Sequence, residues 1–247
     1  MSRLATLFLL PLLSALSQVS PPSLIGAPPT GVPPPAPELA SADVADAVER
    51  LTGRRAHMAS EIRLVAGSRL SGPAVTLSLV REEGAASAAV GLAVVELLES
   101  APAGSVVVAT LDDRQDLAVV GARLGVLAGA RRLAGFVVDG AVRDLADLRR
   151  LGLPTFARGT AAGSAGGHYR LAGVNQAVTC GGLEVRPGDH LVADEDGVAV
   201  APRERLDEVL ALAKTLRDEE RSLLPLIEAH GSYREALRRR AAAPPGR

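Results

Sequence analysis

The chain has 247 residues, 47% of them hydrophobic and 22% charged, with a formal net charge of −1. That balance describes one globular domain with a sizeable core and some additional length at its ends. Aromatic residues make up only 2%, and lysines and arginines are dispersed, which argues against the basic, ring-bearing surface that nucleic acid requires. A single cysteine, Cys180, excludes an internal disulfide and a cysteine-based zinc cluster.

Arg3 precedes the apolar run 4–16, and Ala15-Leu16-Ser17 places small residues where a signal peptidase reads. Residues 1–17 therefore have the layout of a secretory signal peptide and are short for a stable membrane span. Export, periplasmic or secreted, is the expectation; a cytoplasmic protein with a translated upstream extension is the alternative. Residues 18–37 carry eight prolines and form an extended linker. The folded unit is expected over residues 38–240, with a disordered tail at 241–247.

Within that unit, residues 43–51 have helical spacing with Ser41 as a cap. Residues 72–80 form a strand, 84–98 an apolar helix and 105–109 a buried β-branched strand. A polar loop at 112–116 leads to a second helix over 121–133. Phe136-Val137-Val138 is a strand that breaks at Asp139-Gly140, a dipeptide that favours tight turns, and the next helix starts at Arg143-Asp144. Short strands at 176–179, 183–185, 190–193 and 198–200 alternate with tight turns and predict a β-meander. Two C-terminal helices, 203–220 and 221–240, are divided near Pro225 and Gly231. Strands alternating with helices define an α/β core.

Arg143 and Asp144 carry the clearest chemistry. A guanidinium that can fork onto a carboxylate stands beside a hard-oxygen ligand for a cation such as Mg²⁺, which suits a small anionic substrate held against a metal. The same spacing has a local reading, in which Asp144 and Asp147 form a capping box and Arg143 pairs with Asp147. Gly121, Ala122, Arg123 and Leu124 open a helix whose free N–H groups can cradle a carboxylate; a glycine tolerated for close packing is the plainer reading. Residues 160–167, TAAGSAGG, form a flexible loop without the lysine or acidic partner of a nucleotide site. His57, His168, His190 and His230 are isolated, with no metal-ligand spacing. The run Asp194-Glu195-Asp196-Gly197 is a hairpin turn, because Arg205 stands where a calcium loop needs its closing glutamate.

Three segments, VVDGAVRDLADL (137–148), LPTFARG (153–159) and PGDHLVADEDGVAVAP (187–202), resemble the RraA / 4-hydroxy-4-methyl-2-oxoglutarate aldolase family. The resemblance covers roughly residues 38–237. It implies an α/β fold, a swivelling β/β/α-type sandwich with C-terminal helices, assembled as a homotrimer or a dimer of trimers with sites between subunits. It implies a divalent cation, Mg²⁺ or Mn²⁺, and a lyase that cleaves a small 2-oxo acid to pyruvate through a metal-stabilised enolate. By the same resemblance Asp144 is the metal ligand and Arg143 grips the substrate. Gly121–Leu124 amides hold its carboxylate, and Glu219 or Glu220 is the acidic residue lent by a neighbouring subunit. Some members instead act by binding a ribonuclease, without catalysis. One departure stands out: aldolase-type members often carry a carboxylate where this chain has Ala122. Retro-aldol cleavage needs a base for the substrate hydroxyl whereas decarboxylation needs only the electron sink, so decarboxylase-like activity is expected to survive better.

Overall fold

Strand β2 (Leu70–Arg81) is long enough to serve three neighbours. Residues 74–79 pair in parallel with β3 (Val106–Leu111), while 70–73 and 77–81 pair antiparallel with β11 (His190–Asp194) and β8 (Tyr169–Val174). The sheet continues from β3 to β5 (Gly135–Val142), β6 (Thr155–Thr160) and β1 (Arg63–Ala66), and from β11 to β12 (Gly197–Ala201). The two ends nearly meet. Met58 N–H donates to Val198 O, and Val200 N–H to Ala56 O, so the segment just before β1 lies against β12. The result is a mixed α/β domain around a nearly closed, barrel-like sheet. The computed structural model describes residues 39–85, 87–112 and 117–242; the expected signal peptide, the linker, loop residues 113–116 and residues 243–247 of the tail lie outside the described residues.

Parallel pairing requires crossovers, and helices supply them. Helix α1 (Ser41–Thr52) precedes the sheet, α2 (Ser87–Ser100) links β2 to β3, and α3 (Ala122–Ala130) follows β4 (Leu117–Val120). Helix α4 (Leu145–Leu151) links β5 to β6, and α5 (Leu206–His230) and α6 (Tyr233–Ala242) end the chain. The strands read as unbroken apolar runs because both faces are buried. On β3, Val106 and Val108 point into the barrel beside Phe156 and Leu191, whereas Val107 and Ala109 meet Val94, Leu97 and Leu98 of α2. On β12, Val198 and Val200 fill the interior while Ala199 and Ala201 pack with Val44, Ala47 and Val209 of α1 and α5. The barrel is a packed core, so chemistry belongs on its flank. Among the described residues no helix is long and apolar enough to cross a membrane.

Several local expectations are corrected. Asp139-Gly140 is not a turn: β5 runs through it, buried throughout. The second half is not one meander, since β9 (Val178–Cys180) and β10 (Leu183–Val185) form a separate hairpin over Gly181-Gly182, both at positive φ. Residues 160–167 are not merely a flexible loop; Thr160 ends β6, and Gly163–Ser164 is a strand, β7, beside β4. Ser41 lies inside α1 rather than capping it, and its hydroxyl donates to Asp194, which ties the helix to β11. Pro225 does not divide the C-terminal helices. It sits on the exposed side of α5, where water can satisfy the carbonyl that proline leaves without a donor, and the break comes at Gly231 in the left-handed region.

His190 is buried in β11 with Nε2 2.9 Å from Ser71 Oγ, and Nδ1 has no partner among the described residues. Burial pushes its pKa down to about 4. An unfolded chain takes up this proton near pH 6.5 and the folded chain only near pH 4, so stability is lost as pH falls through that window. From pH 7 to pH 5 this group alone should remove about 2 kcal/mol from urea unfolding. In His190→Gln, which retains a partner for Ser71, the loss should shrink. Asp189 next to it has a pKa raised by burial and acts in the opposite sense at the acid end, so the difference between wild type and variant isolates His190.

Candidate active site

The site forms where β4 and β5 run off the barrel. Arg143 N–H donates to Val120 O at 2.9 Å, which sets the end of β5 beside the start of α3. The next residue, Asp144, is left-handed at φ 55 and ψ 41, a conformation that aspartate tolerates better than most residues. Its carbonyl accepts from Asp147 N–H (2.9 Å) and Leu148 N–H (3.1 Å), which begins α4. Its carboxylate turns the other way and accepts Ala122 N–H at 3.0 Å, the first amide of α3. One residue thus holds two helix starts.

The capping-box reading fails on this geometry. Asp144 makes no side-chain bond to its own helix, and Asp147 pairs with Arg150 rather than with Arg143. Arg143 Nε stands 4.0 Å from Asp144 Oδ2, beyond hydrogen-bond reach, so the guanidinium fork remains uncommitted to that carboxylate. Gly121 is there for close packing, and what it packs against is the pair itself. A Cβ at this position would lie 2.6 Å from Asp144 Oδ2 and 3.0 Å from Arg143 Cγ.

A cavity of about 380 Å³ opens over this corner. Gly121, Arg123, Leu124, Arg143 and Asp144 line it, so most of the residues singled out in the sequence are brought together. Ala122 is not among the lining residues, and its N–H is already taken by Asp144. The N–H groups of Arg123 and Leu124, in the first turn of α3, have no intrahelical acceptor. Glu219 and Glu220 stand apart on the exposed side of α5, where Glu219 Oε1 is 3.5 Å from Arg240. His168 pairs with Glu83 at the surface.

Two parts of the wall escaped the sequence reading. Ser164, Ala165 and Gly166 line one side, because β7 pairs with β4 and Ala165 N–H donates to Ala118 O. Val90, Val94 and Val95 of α2, with Leu127 of α3, line another. The signal for the second was available: α2 is apolar nearly all round, so it has more apolar surface than the sheet alone can cover.

The donor set defines what cation fits. Asp144 Oδ1 accepts no hydrogen bond from the described residues, and the side chain is 44% exposed. No group of three His, Cys, Asp or Glu among the described residues could hold a metal together. One carboxylate oxygen fits a hard ion that keeps most of its water, as Mg²⁺ or Mn²⁺ does, and not a zinc site that needs three or four protein ligands.

Comparison with known proteins places the chain in a family. The chain is 32% identical over 199 residues to a Halalkalibacterium halodurans protein named "Putative 4-hydroxy-4-methyl-2-oxoglutarate aldolase", covering 78% of this chain and 89% of that one. A solved structure of an uncharacterized protein from Pseudomonas syringae superposes with a TM-score of 0.73 at 27% identity, over 81% of this chain and 89% of that chain. Streptomyces coelicolor RraAS2, described as an unusual member of the RNase ES inhibitor RraA family, superposes with a TM-score of 0.64 at 26% identity, over 74% and 88% of the two chains. The family model for RraA-like proteins, Aldolase/RraA, matches residues 41–200, and the chain belongs to that family.

Proposed function

We propose that the protein is a carbon–carbon lyase that uses Mg²⁺ or Mn²⁺ to cleave a small 2-oxo acid to pyruvate. The observation that carries this reading is the placement of Arg143 and Asp144, uncommitted to each other, on one wall of a cavity whose adjoining edge is the start of α3. Arg123 and Leu124 N–H groups receive the substrate's 1-carboxylate, as a helix start does for an anion. Asp144 holds the hydrated cation, which when bound supplies positive charge against the 2-oxo oxygen. Arg143 donates to that same oxygen, and its donors strengthen as negative charge gathers there during carbon–carbon cleavage. The valine and leucine wall excludes water, which raises the worth of each charged contact.

The cavity also favours one kind of cleavage. Asp144 is the sole carboxylate among its described lining residues, and no histidine is among them. With Asp144 on the cation and alanine at position 122, no lining group among the described residues is left to take a hydroxyl proton. Decarboxylation of oxaloacetate needs no such base, because carbon dioxide departs without proton abstraction. Retro-aldol cleavage of 4-hydroxy-4-methyl-2-oxoglutarate would depend on Glu219 or Glu220 lent by a second subunit of a homotrimer.

Pyruvate release tests the reading, with each substrate, with and without Mg²⁺, against an enzyme-free control for spontaneous oxaloacetate decay. Oxaloacetate should turn over faster; equal and high turnover of both acids contradicts the base argument, and silence with both turns the assignment to a ribonuclease-binding protein. Asp144→Ala should reduce metal-dependent release to background while costing about 1 kcal/mol of stability, the usual loss of a helix-capping carboxylate. Gly121→Ala should push the pair aside, lowering kcat by about tenfold to a hundredfold with the protein still folded.

A further inference from the structure

The dipeptide Asp139-Gly140 begins four residues before Arg143, and the sheet is irregular there on both edges. On the β6 side the register passes from Val138↔Ala157 to Ala141↔Gly159, so two residues of β5 face the single residue Arg158. That is a β-bulge, which bends a strand and increases its twist. On the other side β5 changes partner at the same point. Its last pair with β3 is Asp139↔Thr110, and its first with β4 is Ala141↔Ala118.

Side chains lock the bulge. Asp139 is buried, with a side chain 2% exposed, and its Oδ1 accepts from Nε of Arg158, the very residue opposite the bulge. Its Oδ2 accepts Gly181 N–H at 2.7 Å, from the turn between β9 and β10. One carboxylate thus joins β5, β6 and the β9–β10 hairpin at the place where β5 leaves the barrel. None of these groups lines the cavity.

We infer that Asp139 and Arg158 are positioning residues: their pair fixes the bend of β5 that delivers Arg143 and Asp144 to the cavity. The inference rests on the lyase reading above. A bulge held only by backbone bonds could slide by one residue, and a one-residue slip would turn every later side chain to the other face. The pair prevents that slip without touching substrate.

The test compares wild type, Asp139→Asn/Arg158→Gln, which removes both charges together, and Arg158→Lys, which keeps a cation with different reach. Circular dichroism and Tm report folding, pyruvate release gives kcat and KM, and calorimetric titration with Mn²⁺ reports the ligand independently of turnover. The double variant should fold, lose about tenfold or more in kcat and bind Mn²⁺ several-fold more weakly, with Arg158→Lys intermediate in both. A folded double variant with wild-type kcat and Mn²⁺ affinity overturns the inference and leaves the lyase reading standing. Should the double variant fail to fold, Arg158→Lys decides, and wild-type kcat there overturns the inference. Wild-type protein silent with both substrates and with Mn²⁺ overturns the lyase reading and this inference together.

Discussion

The carboxylate of Asp144 and the carbonyl of the same residue point at two different helices, and the flank of the domain is organised by that divergence. A helix start leaves amides without partners, and burying them unanswered costs free energy. Here a single left-handed residue answers Ala122 N–H with its side chain and Asp147 and Leu148 N–H with its backbone. Gly121 is required because nothing larger fits between α3 and the pair, and Gly125 serves the same approach one turn on, where a Cβ would meet Leu148 at 2.7 Å. The geometry that stabilises the two helices therefore also presents the charged pair.

Charge is distributed in the same spirit. The largely buried ion pair Asp139–Arg158, its carboxylate inside and its guanidinium 18% exposed, lies near the barrel end, while Arg143 and Asp144 stay partly exposed at 33% and 44%. A buried pair resists change because removing either partner strands the other. A partly exposed pair whose members do not hydrogen bond is free to reorganise around a ligand. The domain keeps its rigid electrostatics behind the site and its uncommitted electrostatics in front.

Much of this was legible in the sequence, and what was not has a common cause. Helices α1, α2 and α3 follow from apolar spacing within a dozen residues, and Arg143-Asp144 at a helix start follows from neighbours along the chain. The family resemblance added roles to those residues and the fold class. Asp139-Gly140 was misread because turn preference is local, whereas the bulge is decided by Arg158 nineteen residues later and Gly181 beyond it. Strands β4 and β7, four and two residues long, are too short to show a period. Pro225 was misread for another reason: its penalty depends on whether the freed carbonyl is buried, and exposure is not written in the local sequence.

The cavity wall is drawn from a single stretch of chain, from Val90 on α2 to Gly166 after β7. The barrel closure, the β9–β10 hairpin and the terminal helices supply none of it. Such contiguity makes the site a cassette. Exchanging that stretch between relatives, with the register of β5 and the Gly181 contact to Asp139 preserved, would carry the pocket wall as a unit, and only what a second subunit lends would have to be supplied separately.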